Sequence, residues 1–126
     1  VQMLLTTMPT VLTHINSGKV RALGITTDGK RTRVLPDVPS MSEAGVSGMT
    51  IYTWSGLFGP AGIPREVVGR LHAEIVRAIA AAPVRERFNA EGAEPVGSSP
   101  EEFASHVRNE LRRWAEVIKS AGIAPE

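Results

Sequence analysis

Two pairs of threonines are the residues of this chain best suited to hold a ligand. Thr6-Thr7-Met8 stands where an apolar run ends and Pro9 opens a helix, so hydroxyls and helix-start backbone N–H groups meet there. Unpaired donors and the positive end of a helix dipole make such a corner friendly to anions. Thr26-Thr27 closes the next apolar run. If the two runs are parallel strands, both pairs emerge at the carboxyl edge of a sheet, where open α/β sheets bind ligands. Helix capping and strand-end threonine preference explain the same residues equally well.

Other chemistries find no support in the residue pattern. Ser55 is flanked as Trp54-Ser55-Gly56, so the strained G-x-S-x-G elbow of a serine hydrolase is absent. Gly56, Gly59 and Gly62 precede a helix without the spacing of a phosphate-cradling loop and read as turn glycines. His14, His72 and His106 fall on three different predicted helices, with no second metal ligand at i+3 or i+4. Glu101-Glu102, Glu110 and Glu116 sit at helix starts or on polar faces, where capping and dipole interactions account for them. Arg108, Arg112, Arg113 and Lys119 form the solvated basic face of an amphipathic helix. Tyr52 and Trp54 could stack on a ligand, but aromatics inside an apolar run belong more often to a core. No motif calls for a cofactor or a metal, and the expectation is a protein that is not an enzyme.

Composition narrows the field further. The 126 residues carry 14 basic and 13 acidic side chains, a near balance that leaves little basic surface for nucleic acid. Cysteine is absent, which removes disulfides and thiolate sites. No apolar run approaches the roughly 18 residues of a membrane span. Val1-Gln2-Met3-Leu4-Leu5 is apolar from its first residue, as expected of a chain that starts inside a domain, whether by processing or truncation.

The elements that position the threonines follow from periodicity. Val1–Leu5 and Val20–Thr26 read as strands, joined through a helix whose apolar stripe is Val11, Leu12 and Ile15 and whose stop is Gly18. The connection has the length of a parallel crossover, so residues 2–26 are expected to form a right-handed βαβ unit. Residues 28–39 read as a polar connector, and Ser40-Met41-Ser42-Glu43 as a capping box opening a small helix that Gly45 ends. Met49–Phe58 is the most β-prone stretch, and Glu94-Pro95-Val96 a weak edge strand. Pro64 opens a helix with Val67, Val68, Leu71, Ile75, Ala78 and Ile79 at helical spacing, which Pro83 must end or kink; a shorter helix spans Val84–Glu91. Ser99-Pro100-Glu101-Glu102 starts a long helix that buries Phe103, Val107, Leu111, Trp114 and Ile118 and closes at Gly122.

The order Gly18-Lys19-Val20-Arg21-Ala22-Leu23, Lys30-Arg31, Leu35-Pro36-Asp37-Val38-Pro39-Ser40, Glu43-Ala44-Gly45, Trp54-Ser55-Gly56-Leu57 and Pro60-Ala61-Gly62-Ile63-Pro64 resembles one family across the whole chain. It is the Bug family, the extracytoplasmic substrate-binding receptors of tripartite tricarboxylate transporters. Departures are mild: Ser40 stands where Thr is more usual, Gly24 where Ala is, and Ile63 where Thr is.

The resemblance implies a C-terminal portion of a bilobal type II periplasmic-binding-protein fold, an α/β class with a largely parallel sheet flanked by helices and long C-terminal helices. Residues 1–48 are expected to belong to lobe two, as βαβ unit and crossover connector, and 49–126 to lobe one. The implied function is capture of a small organic carboxylate in the periplasm for delivery to membrane permease subunits, with a signal peptide and an N-terminal lobe upstream of Val1. The ligand residues expected on this mapping are Thr6, Thr7, Met8, Thr26 and Thr27, with Arg31 and Trp54 as ligand or hinge candidates. The rival reading is the ligand-sensing domain of a transcription regulator, which shares this bilobal architecture. Two corollaries are weak carboxylate binding by these residues alone, since half the cleft is missing, and self-association through exposed apolar surface.

Overall fold

The structure, a computed structural model, describes residues 2–124. Four helices carry its regular structure: α1 (Met8–Asn16), α2 (Arg65–Ala80), α3 (Ala82–Ala90) and α4 (Pro100–Ser120). Each begins where the local chemistry demands. Pro9 lies in the first turn of α1 behind Thr7, whose extended backbone (φ −82°, ψ 151°) is that of a cap. Ala81 breaks α2 from α3 with Pro83 in the first turn of the latter, as the proline requires. Ser99 and Glu102 form the complete reciprocal capping box at the head of α4, and Gly122 leaves it with φ 66°. The apolar stripe Val11, Leu12 and Ile15 of α1 is half-buried as its spacing predicts.

The expected parallel sheet is absent among the described residues. Residues 2–5, 20–26, 49–58 and 94–96 are not strands; the β-type pairing consists of single bridges, Ile25 to Ser40 (parallel) and Thr32 to Leu35. Val1, the first residue of the expected Val1–Leu5 strand, lies outside the described residues. The physical reason is that strand propensity selects an extended backbone, whereas a strand exists only when another segment completes its ladder. Ile25 N donates to Pro39 O at 2.9 Å, Met41 N to Ile25 O at 2.8 Å and Ile51 N to Thr26 O at 2.9 Å, and pairing goes no further. The small helix expected after Ser40 is also only a turn, with a single α-type bond from Ala44 N to Ser40 O before Gly45 turns to φ 86°.

The chain divides into two compact units, Val1–Ser55 with Ile79–Pro95, and Gly56–Ala78 with Val96–Glu126. In the first, Gly92 allows the close approach of Met8 and Val34, whose side chains occupy the space of a Cβ, and its φ of 71° excludes most other residues. In the second, the Phe103 ring occupies the space above Gly56 and meets Phe58 at a centroid distance of 5.2 Å. Gly56 is therefore a packing glycine and not merely a turn residue.

Neither unit closes a dry core. Among the described residues no apolar side chain is fully buried, and Ser40 is the single buried polar one. The expected buried face of α4 is covered only at its start: Phe103 and Val107 are half-buried, but Leu111 is 68% exposed. Each large apolar side chain left in water forgoes about 1.5–3 kcal/mol of transfer free energy.

Candidate functional site

The two threonine corners expected from the sequence do come close in the first unit, through Thr6, Thr7 and Thr26. Together with Leu5, Ile51 and Thr53 they line a cavity of about 180 Å3. The segment 5–7 enters α1, and Thr26 is tied to Ile51 by two bonds: its Oγ1 donates to Ile51 O at 2.8 Å, and Ile51 N donates to Thr26 O at 2.9 Å.

The hydroxyls differ in what they have left to offer. Thr26 has spent its one donor on the Ile51 carbonyl and can only accept. Thr27 donates to Lys30 O within its own turn and does not line the cavity. Thr7 makes no capping bond; its Oγ1 lies 2.8 Å from Thr10 Oγ1, and either can be the donor. Thr6 and Thr53 are drawn into no hydrogen bond among the described residues. An anion needs donors, so Thr6, Thr53 and Thr7 are the hydroxyls equipped to meet one. The α1 start contributes less than the sequence pattern suggested, because Pro9 has no N–H and Thr10 N bonds Thr7 O at 3.2 Å. Met8 is half-buried against Gly92 and lies outside the cavity lining.

Arg31 and Trp54 also stand away from this lining. Arg31 Nε donates to both Glu43 carboxylate oxygens, at 3.1 and 3.2 Å, and its Nη1 to Pro36 O at 3.2 Å. Its guanidinium thus pins the Leu35–Pro39 block to the Ser40 turn. The Ser40 backbone N–H, above all, holds the Glu43 carboxyl below its ordinary range, with the Ser40 hydroxyl and Arg31 adding to it against a smaller opposing effect of desolvation.

Ile51 and Thr53 were not among the expected site residues, although a signal for them exists. Positions 51 and 53 share one side of an extended run, and position 52 takes the other. Tyr52 accepts a hydrogen bond from Asp28 N at 3.1 Å through its hydroxyl, and it does not line the cavity. Reading Met49–Phe58 only as apolar and aromatic hid Thr53, the one hydroxyl of that run which lines the cavity.

None of the six lining residues titrates, so the cavity holds no general acid, base or charged nucleophile. It can orient a ligand by neutral hydrogen bonds against the apolar walls of Leu5 and Ile51. A second concavity of about 590 Å3 is lined by Ile15, Gly18, Lys19, Val20, Arg21, Ala22 and Val38. It is larger and carries two cations, but it is a wide surface groove. No group of three or more His, Cys, Asp or Glu side chains suited to a metal occurs among the described residues. No helix there is long and apolar enough to cross a membrane.

Residues 1–123 match the family described as tripartite tricarboxylate transporter family receptor. The chain belongs to that family. It is a family of transport receptors, not of enzymes, and the match runs through both the cavity-lining residues and α4. A UPF0065 protein in the tcbD-tcbE intergenic region of a Pseudomonas species is 40% identical over 119 residues, covering 94% of this chain and 35% of that protein. Protein BugT of Bordetella pertussis is 35% identical over 115 residues, covering 91% of this chain and 35% of BugT. The chain therefore spans about a third of the length of these curated relatives. Among solved structures, R. palustris Rpa4515 with adipate matches with a TM-score of 0.83 and 34% identity, over 94% of this chain and 40% of that one. The periplasmic binding protein BugD matches with a TM-score of 0.83 and 34% identity, over 92% of this chain and 39% of BugD. The fold is thus that of a portion of a periplasmic binding protein.

Proposed function

We propose that this chain forms part of a periplasmic receptor that captures a small organic carboxylate and delivers it to the membrane permease of a tripartite tricarboxylate transporter. The observation that carries the proposal is the family match over residues 1–123, joined to a cavity lined by hydroxyls and no titratable group. The bound adipate of the R. palustris relative supports a carboxylate as the ligand class.

In this reading the fold is of the bilobal type II kind, with residues 1–48 in one lobe and 49–126 in the other. The cavity draws Thr6, Thr7 and Thr26 from the first range and Ile51 and Thr53 from the second. All of these lie in the first compact unit, so a ligand held there ties the end of the first range to the start of the second. Thr6, Thr7 and Thr53 donate to the carboxylate, while Leu5 and Ile51 pack against its aliphatic part. Affinity comes from pre-placed neutral donors, each worth about 1.5–3 kcal/mol toward a charged acceptor.

A nuclear magnetic resonance titration with adipate tests this. Millimolar binding is expected for these residues alone, about −4 kcal/mol, with shifts concentrated at residues 5–7, 26 and 51–53 and reduced by T6V and T53V. Because no lining residue titrates, binding weakens only as the acid itself is protonated. The two cations of the larger groove favour a second reading, in which the carboxylate sits at Lys19 and Arg21. Shifts confined to those two residues would establish it and remove the threonine corner.

A further inference from the structure

We propose that Ser40 is a positioning residue for the threonine corner: from outside the cavity it fixes where the Thr26–Ile51 pair stands. The inference rests on the reading of that corner as the carboxylate site. Ser40 does not line the cavity, yet it is the single fully buried residue among the described ones, and it is polar. Burying a hydroxyl is unfavourable unless hydrogen bonds offset it, so the partners of Ser40 show what it holds.

Those partners close a rigid turn. The Ser40 N–H donates to Glu43 Oε2 at 2.8 Å, and Ser40 Oγ accepts from Glu43 N at 3.2 Å and lies 3.0 Å from Ser42 Oγ. The backbone on either side of Ser40 then grips one residue. Ile25 N donates to Pro39 O at 2.9 Å, and Met41 N donates to Ile25 O at 2.8 Å. Met41 also packs on the residue before, since its Sδ would stand 2.9 Å from a Cβ on Gly24. Residues 24 and 25 are thus held by the segment 39–41, and Thr26 follows directly.

From Thr26 the effect reaches the cavity wall. Thr26 Oγ1 donates to Ile51 O at 2.8 Å, and Ile51 N donates to Thr26 O at 2.9 Å. Thr53 lies on the same side of that extended run as Ile51, so placing one places the other. The link from Ser40 to Ile25 is a single bridge, with no longer ladder to fix its register. The turn must therefore owe its rigidity to its own bonds. The Arg31–Glu43 pair is too exposed to supply much of it, which leaves the buried Ser40 hydroxyl as the group that decides.

The test compares S40A, S40T and S99A in the 126-residue chain by amide hydrogen exchange and adipate titration. In S40A the Ile25, Met41 and Ile51 amides should quicken about tenfold more than those of α4. Adipate binding should weaken about fivefold, the scale of one lost neutral hydrogen bond. S40T keeps the hydroxyl and should restore both. S99A loosens the matching box in the other compact unit and should change neither, which separates positioning from general destabilisation. If S40A does not fold by circular dichroism, S40C, close in size and a weak acceptor, replaces it. Exchange at Ile51 no faster than in α4, or affinity unchanged while Ile51 quickens, would overturn the proposal. Equal weakening in S99A would do so too. If adipate moves no resonance of residues 5–7, 26 or 51–53 in the unaltered chain, the carboxylate reading falls; exchange at Ile51 still decides whether Ser40 holds the pair.

Discussion

Ser40-Met41-Ser42-Glu43 and Ser99-Pro100-Glu101-Glu102 begin with the same local geometry and come to different ends. In each, the Ser N–H donates to the Glu Oε2 at 2.8 Å and the Glu N–H donates to the Ser Oγ at 3.2 Å. One opens a helix of 21 residues; the other makes one turn. The difference lies downstream. Glu102 is followed by apolar residues at helical spacing and no glycine before Gly122, whereas Gly45 stands two residues after Glu43 and adopts φ 86°. A capping box satisfies the first N–H groups but does not propagate a helix; propagation needs residues that each add a bond without a competing turn. The boxes also differ in setting, since Ser40 is completely buried and Ser99 half-buried.

The sharpest way to break this comparison is to remove both hydroxyls in turn. S40A should cost about 1–3 kcal/mol in urea unfolding, because it removes from a fully buried position the hydroxyl that bonds Glu43 N and Ser42 Oγ. S99A should cost about 1 kcal/mol and appear as lost helicity by circular dichroism. A larger effect at Ser99 would mean that burial is not what separates the two boxes.

Acid provides a second and smaller lever. The Ser40 and Ser99 backbone N–H groups, foremost, hold Glu43 and Glu102 below the ordinary glutamate value of 4.5. A depressed carboxyl contributes stability that is fully present above its unfolded value and is lost as pH falls through the folded one. Both carboxyl resonances should therefore titrate below 4.5 in a carbon-detected experiment, and the boxes should loosen together under acid. A midpoint at or above that value for either would separate them. The smallest effect is expected of R31A: its pair with Glu43 is largely exposed, so the change should be slight and vanish in high salt.

How much could be read in advance depended on the range of the interaction. The helices were legible because Pro9, Pro83, Ser99, Gly18 and Gly122 act within a few residues of where they stand. The family was legible because the order of short motifs survives in the chain. Of the cavity lining, Thr6, Thr7 and Thr26 were expected from the ends of apolar runs, whereas Ile51 and Thr53 were passed over because their run was read for its apolar character. Thr27 was expected at the site from its place at the end of an apolar run, and its hydroxyl donates to Lys30 O; Arg31, expected as a ligand or hinge candidate, spends its donors on Glu43 and Pro36.

By itself the sequence determined where helices start and stop, which segments are extended, and the receptor family, since caps, prolines, glycines and side-chain periodicity act locally. Only the tertiary structure decided which extended segments pair and which hydroxyls keep a free donor. It also decided that half of an apolar stripe on α4 is covered while the other half faces water. A ladder, a cavity and a buried face each require a second segment at a particular distance, and no residue specifies its distant partner alone.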